Sequence, residues 1–345
     1  MVKRSGTERC LRGFINASIA GSDLQEARAG MSDKKLTLND IAKLCGVGKS
    51  TVSLVINNSD KVKKATRERV EAIIKEQGYT PSKAAQALRS QREKIIGVIV
   101  TRLDSASENQ AIRAILPQIY QHEYDAILME SLLDPTLLAS HLNVLAQRNV
   151  EGVILFGFSG VDKSLVKGWK DKLVLISSAL PEVASVVYDN VGAVNVLMEK
   201  MRDAGHRSVS YIGVTTNDPT TGNIRYQTYL ERCAAFGMTP HAALGDLSYQ
   251  SGYDLAKELL TAESGALICA SDTIAMGAIK YIQQQGWKIK VGSIGSTPLM
   301  TFLQPDVLSV KMGYQQAGLK ASLLLLEMLH GTRTQEHIVI PCTFQ

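Results

Sequence analysis

From Ile95 onward the chain repeats one unit, a short apolar run followed by an amphipathic stretch; IIGVIV, AILMES, VEGVILFG, LVLIS, ASVVYD, VSYIGV, ALICAS and VGSIG each head such a unit. Continuous apolar runs of this kind suit strands covered on both faces, because a strand with one wet face alternates instead. Strands that alternate with helices form parallel sheets with right-handed crossovers, so an α/β class is expected. The turn after the first run reads Thr101-Arg102-Leu103-Asp104-Ser105-Ala106-Ser107-Glu108-Asn109. It lacks the GxGxxG spacing that brings a backbone against a pyrophosphate, which disfavours a dinucleotide enzyme.

The stretch before Ile95 follows helical spacing. Thr37 and Asp40 are placed as a capping box that opens a helix, with Leu38, Ile41, Ala42 and Leu44 as its apolar face and Gly46 as its stop. A second helix is expected over Lys49 to Asn57, with Val52, Val55 and Ile56 inward. A third spans Thr66 to Gln77, with Val70, Ile73 and Ile74 inward and Gly78 as the stop. A small residue at the crossing (Ala42), a glycine in the turn (Gly46) and a branched anchor (Val52) make up the helix-turn-helix set. Lys49, Ser50, Thr51, Ser53, Leu54 and Asn57 then occupy the exposed face of the second helix, where they would meet base edges or phosphates. Gly46-Val47-Gly48-Lys49-Ser50-Thr51 ends like a phosphate-binding loop, but Lys43 stands where that motif needs glycine, and a helix precedes it instead of a strand.

Charge is divided in the same way. Ser32 to Arg92 carries thirteen Lys/Arg against six Asp/Glu, a net of +7, and residues 1–31 carry +2, so the remainder holds −4 of the overall +5. A basic front on an acidic body suits a polyanion partner, since phosphate attraction supplies most of the sequence-independent affinity. No apolar run is long enough to span a bilayer, and no membrane partner is expected. Five scattered cysteines without a CxxC pair read as reduced thiols of a cytoplasmic protein, and six histidines show no metal spacing. No cofactor or metal is expected. Residues 1–30 lack a signal-peptide apolar core, and Met31, just before the organised pattern, is the expected natural start.

Taken together, TLNDIAKLCGVGKSTVSLVINN, KVKKATRERVEAI and GYTPSKAAQALRS resemble the DNA-binding head and hinge of the lactose/galactose repressor family. The resemblance implies a three-helix helix-turn-helix head over residues 35–80, a hinge helix over 81–92 and a two-lobed, periplasmic-binding-protein-like effector and dimerisation domain over 93–345, behind an unstructured 1–34. It places the lobes at about 93–190 plus 291–313 and about 191–290 plus 314–345, with crossovers near Asn190, Val291 and Gly313. It implies a homodimer on a near-palindromic operator in double-stranded DNA, contacted also by Leu38, Thr66, Ser82, Lys83 and Ala85, with Leu88 as a minor-groove wedge. Leu54 departs from the arginine common there in the family.

Ligands of open α/β sheets sit beyond the carboxyl ends of the strands. That rule selects Arg102, Asp104 and Glu108, then Gly157, then Asp218, Thr220, Thr221 and Arg225, then Asp272 and Thr273, and Tyr314 at a crossover. Carboxylates and hydroxyls suit sugar hydroxyls, and arginines suit phosphate. VTRLDSASEN, MESLLDP, LFGFSG, DPTTGNIRYQTY, CASDTIAMGA and GSTPLMTFL are similar to the trehalose-responsive members of the family. This implies repression of a trehalose operon, relieved by trehalose 6-phosphate or trehalose itself, although Ser177-Ser178 stands where an arginine is expected. A repressor answering another sugar, and a sugar-binding protein with no DNA role, are the alternatives; an enzyme is not expected.

Overall fold

The computed structural model describes residues 36–56, 59–79, 94–332 and 334–344. The expected extension and hinge, with Asn57, Ser82, Lys83, Ala85 and Leu88, lie outside the described residues. The chain divides into two compact units, residues 1–91 and 92–345.

In the first unit, α1 spans Leu38–Cys45, α2 spans Lys49–Ile56 and α3 spans Lys64–Glu76. The capping box forms: the Thr37 amide donates to the Asp40 carboxylate at 2.9 Å, and the Asp40 amide donates to the Thr37 hydroxyl at 3.4 Å. Two otherwise unpaired donors are thereby satisfied, which fixes where α1 begins. Gly46 ends it at φ 62°, a left-handed conformation costly to any residue with a Cβ, and the Val47 amide then donates to the Ala42 carbonyl at 3.1 Å. Ile41, Ala42, Cys45, Val52, Val55 and Val70 close the core. Leu44, expected on the inner face, is instead exposed, because two positions beyond Ala42 it lies on the far side of the turn; Cys45 takes its place.

The second unit contains two six-stranded sheets. The first is built from β1 (Ile95–Val100), β2 (Asp125–Glu130), β3 (Gly152–Phe156), β4 (Leu173–Ile176), β5 (Ala184–Tyr188) and β11 (His337–Ile340), in the order β11-β5-β4-β3-β1-β2 and parallel throughout. Helices α4 (Ala106–Gln121), α5 (Pro135–Gln147) and the short α6 (Lys163–Val166) lie between its strands. The second contains β6 (Ser210–Val214), β7 (His241–Gly245), β8 (Ala266–Cys269), β9 (Lys290–Gly295), β10 (Leu308–Lys311) and β12 (Thr343–Phe344), in the order β12-β10-β9-β8-β6-β7 with β12 antiparallel. Its helices are α7 (Asn190–Asp203), α8 (Arg225–Phe236), α9 (Tyr249–Leu259), α10 (Asp272–Gln285) and α11 (Pro298–Leu303), with a π-helical turn, Pro219–Ile224, leading into α8.

The chain passes between lobes at Asn190, at Gly313 and again between β11 and β12, and the crossover expected near Val291 does not occur. The lobe assignment is corrected accordingly. Residues 291–311 stay in the second lobe because β9 pairs with β8 and β10 with β9. Residues 314–340 return to the first, where α12 (Tyr314–Leu329) buries Ala317, Ala321, Leu324 and Leu325 in the core beneath β1, β3, β4 and β5. Strands β7, β11 and β12 lie at sheet edges, half or fully exposed except at the buried Ile340, and lack the unbroken apolar run that marks the inner strands.

α12 crosses α4 at Gly318, where a Cβ would fall 2.3 Å from the carbonyl oxygen of Ala111. The neighbour is backbone and cannot swing away. Gly318→Ala should therefore destabilise the body by about 1–3 kcal/mol, even though alanine recovers roughly 1 kcal/mol of helix propensity. Calorimetric melting should show the lower midpoint.

Candidate DNA-reading face and effector cleft

On the first unit, Lys49, Ser50 and Leu54 are exposed along α2 and Thr51 is half-buried. These side chains share the outer face because Val52 and Val55 take the inner one. Ser53, expected outward, is buried at 7 % exposure, since its position brings it under the flank shared with the core. Leu38 and Thr66 are half-buried, at the first turns of α1 and α3. Arg67 ties α3 to the turn after α2, its guanidinium donating to the Ser59 carbonyl at 2.7 Å. Exposed Lys63, Lys64 and Arg69 add cationic surface. The face can offer hydroxyl and ammonium donors to phosphates and base edges.

Within the second unit a cleft of about 330 Å³ opens at the carboxyl ends of the strands of both lobes. That volume lies at the lower end of the range for small-molecule sites. Arg102, Glu108, Gly157, Asp218, Thr220, Thr221, Arg225 and Tyr314 line it. Asp104 does not: its side chain is 83 % exposed, 3.9 Å from Arg102 Nε. Asp272 is buried at the start of α10, where its carboxylate accepts from the Ser293 hydroxyl and from the Thr297 amide at 2.6 Å. It pins the turn after β9 instead of facing a ligand, and Thr273 lies outside the lining as well.

Arg225, at the start of α8, is only 4 % exposed. Its Nε donates to Asn190 Oδ1 at 2.8 Å and its Nη1 to the Ala270 carbonyl beyond β8. Beside it Tyr314 and Tyr188 meet edge to face at 5.2 Å. Burial pushes the Tyr314 phenol up to about 12, with Arg225 opposing the rise. Glu108 accepts from the amide and the hydroxyl of Thr101. Burial raises its carboxyl above 4.5, against the lowering by those hydrogen bonds and by Arg102. Asp218 caps the π-helical turn, accepting from the Thr220 and Gly222 amides at 3.0 Å each. Ser177 donates from its hydroxyl to the Gly157 carbonyl at 3.0 Å.

Asn190, Asp246, Leu247, Phe156 and Phe158, none of them expected as a ligand residue, also line the cleft, as does Ser177. The sequence marks Asn190 only as a crossover, and its signal is the strand end just before it. Asp246 and Leu247 follow β7, an edge strand whose run the sequence reading did not pick out.

A chain that carries a basic helix-turn-helix unit and, as a separate unit, a two-lobed body with an interlobe cleft has the parts of a ligand-responsive DNA-binding regulator. Comparison with known proteins agrees. Residues 37–82 match the bacterial regulatory proteins of the lacI family, and residues 93–345 match the periplasmic binding proteins and sugar binding domain of the LacI family. The chain belongs to the lacI family and is a DNA-binding transcriptional regulator, not an enzyme. It is 46 % identical to the HTH-type transcriptional regulator TreR of Escherichia coli K12 over 90 % of this chain and 98 % of that protein, and 45 % identical to TreR of Salmonella typhimurium LT2 with the same coverage. The solved trehalose repressor from Escherichia coli superposes with a TM-score of 0.72 at 43 % identity, covering 73 % of this chain and all of that one. The lac repressor dimer bound to operator and the anti-inducer ONPF shares the fold, with a TM-score of 0.80 at 21 % identity over 90 % of this chain and 98 % of that one. Among the described residues, no helix is long and apolar enough to cross a membrane.

Glu108 supplies a direct check on the electrostatics of the cleft. Its carboxyl should titrate above 4.5 by carbon-detected NMR. Arg102→Ala removes a charge that favours the ionised form and should move that midpoint still higher.

Proposed function

We propose that this regulator is the repressor of a trehalose uptake or utilisation operon, a cytoplasmic homodimer released from its operator by trehalose 6-phosphate. The observation that carries the reading is the 46 % identity, over 90 % of this chain, to a regulator whose solved counterpart is a trehalose repressor. The cleft supports it chemically. Phe156 and Phe158 offer apolar walls for sugar rings, Asp218, Thr220 and Asn190 offer acceptors and donors for hydroxyls, and Arg102 offers a fork for an anionic oxygen. Lys49, Ser50, Thr51 and Leu54 read the operator from α2, and the basic surplus of residues 32–92 supplies the salt-sensitive part of the affinity. Two-fold symmetry of the protein would be mirrored in the operator half-sites. The hinge sequence, which includes Leu88, would fold against DNA only while both copies hold it, so an effector that favours the other state of the body releases the operator.

Two substitutions separate the parts. Leu88→Ala should lower operator affinity by at least about tenfold in gel-shift titration, the worth of about 1.4 kcal/mol, while calorimetry finds sugar binding unchanged. Arg102→Ala should leave operator affinity intact and weaken release by trehalose 6-phosphate. Equal loss of DNA binding in both would overturn the division of labour, and absence of heat with trehalose 6-phosphate would remove the effector assignment.

A further inference from the structure

Leu54 stands in the last turn of α2, 36 % exposed and outside the apolar cluster that closes the first unit. Ser50 and Thr51 lie one turn earlier and so flank it on the helix surface, and exposed Lys49 continues the same face. Its backbone is held in place. The Ser59 amide donates to the Leu54 carbonyl at 3.0 Å, and the guanidinium of Arg67, on α3, donates to the Ser59 carbonyl at 2.7 Å. An exposed leucine is common on any protein surface. On this face it is out of keeping, since Lys49, Ser50 and Thr51 carry groups that bond phosphates and polar base edges, and the side chain of Leu54 bonds neither.

We infer that Leu54 sets the base preference at one position of each operator half-site, and that what it reads there is the C5 methyl group of a thymine. The base edges in the major groove are hydrogen-bond donors and acceptors, and the apolar group they offer is that methyl. A leucine pressed against a polar edge takes away its water and returns no hydrogen bond. Against the methyl, two apolar groups leave water together. The side chain therefore favours thymine and penalises the other bases at the same position, and specificity is the difference between the two. This role rests on α2 facing the operator, as proposed above, and is independent of the effector.

The full-length chain is first used to select its preferred site from a pool of random duplexes, and each thymine of that site is then replaced singly by deoxyuridine. Uracil keeps the pairing and the O4 acceptor and lacks only the methyl. At one thymine of the half-site the native protein should lose affinity roughly fourfold in gel-shift titration, the worth of one buried methyl group. Leu54→Ala should bind thymine and uracil alike at that position, and selection with it should no longer favour thymine there. Its affinity for a duplex of unrelated sequence should match the native value, because the phosphate contacts are untouched. A uracil scan without effect at any thymine sinks the role, as does a loss that persists undiminished in Leu54→Ala. An equal fall on selected and unrelated duplexes in Leu54→Ala would make the residue a support of the head and not a reader. Ser50→Ala separates this role from the broader reading. If it alters the selected bases while the uracil scan stays flat, α2 reads the operator without Leu54; if neither substitution alters the selection, α2 does not face the operator and both readings fall.

Discussion

A buried guanidinium holds the effector domain to its present geometry. Arg225 is almost wholly out of water, which is tolerable only where the charge is satisfied by oriented oxygens. Those oxygens come from Asn190, the residue at which the chain first leaves the first lobe, and from Ala270, just past the end of β8. Tyr314, which opens the helix after the second crossover, packs beside it. Two of the three crossovers that any lobe motion must bend are thus gathered round one side chain. Its hydrogen bonds run to neutral oxygens, so its charge still acts on the cleft.

That placement changes how the cleft's charge balance is to be read. Arg102 and Arg225 face Glu108, Asp218 and Asp246. Counted formally, the lining is short of cations for a phosphate. Glu108, however, is pushed toward its neutral form by burial, and Asp218 is committed to the amides of Thr220 and Gly222. With Arg225 occupied at the hinge side, Arg102 becomes the guanidinium best placed for an entering anion. Serines at 177 and 178 leave no further fork at the end of β4, and Ser177 is itself held in a left-handed backbone, at φ 72°, with its hydroxyl turned to Gly157.

Much of this was legible in the residues because it is local. The capping box, the glycine stop and the strand ends that carry Arg102, Glu108, Gly157, Asp218 and Arg225 are fixed by neighbours a few positions away. Leu44 and Ser53 depart through the phase of their own short helices, and the remaining errors come from long-range partners. VGSIG reads the same whichever sheet it joins, and only its pairing with β8 assigns residues 291–311 to the second lobe. Asp272 has the position of a ligand residue, yet the turn after β9 folds back and consumes its carboxylate. Leu247 is invisible to any motif, because what it contributes is a carbonyl and not a side chain.

Effector control needs a difference in affinity between two states of the body, for a ligand that binds both equally shifts nothing. The hub at Arg225 takes part, since Arg225, Asn190 and Tyr314 all line the cleft. The hydrogen bond from Arg102 to the Leu247 carbonyl crosses from one lobe to the other, so a ligand that draws on that guanidinium also acts on how the lobes are joined. A side chain that lines the cleft and also bridges the lobes ties the contents of the cleft to the contact between them.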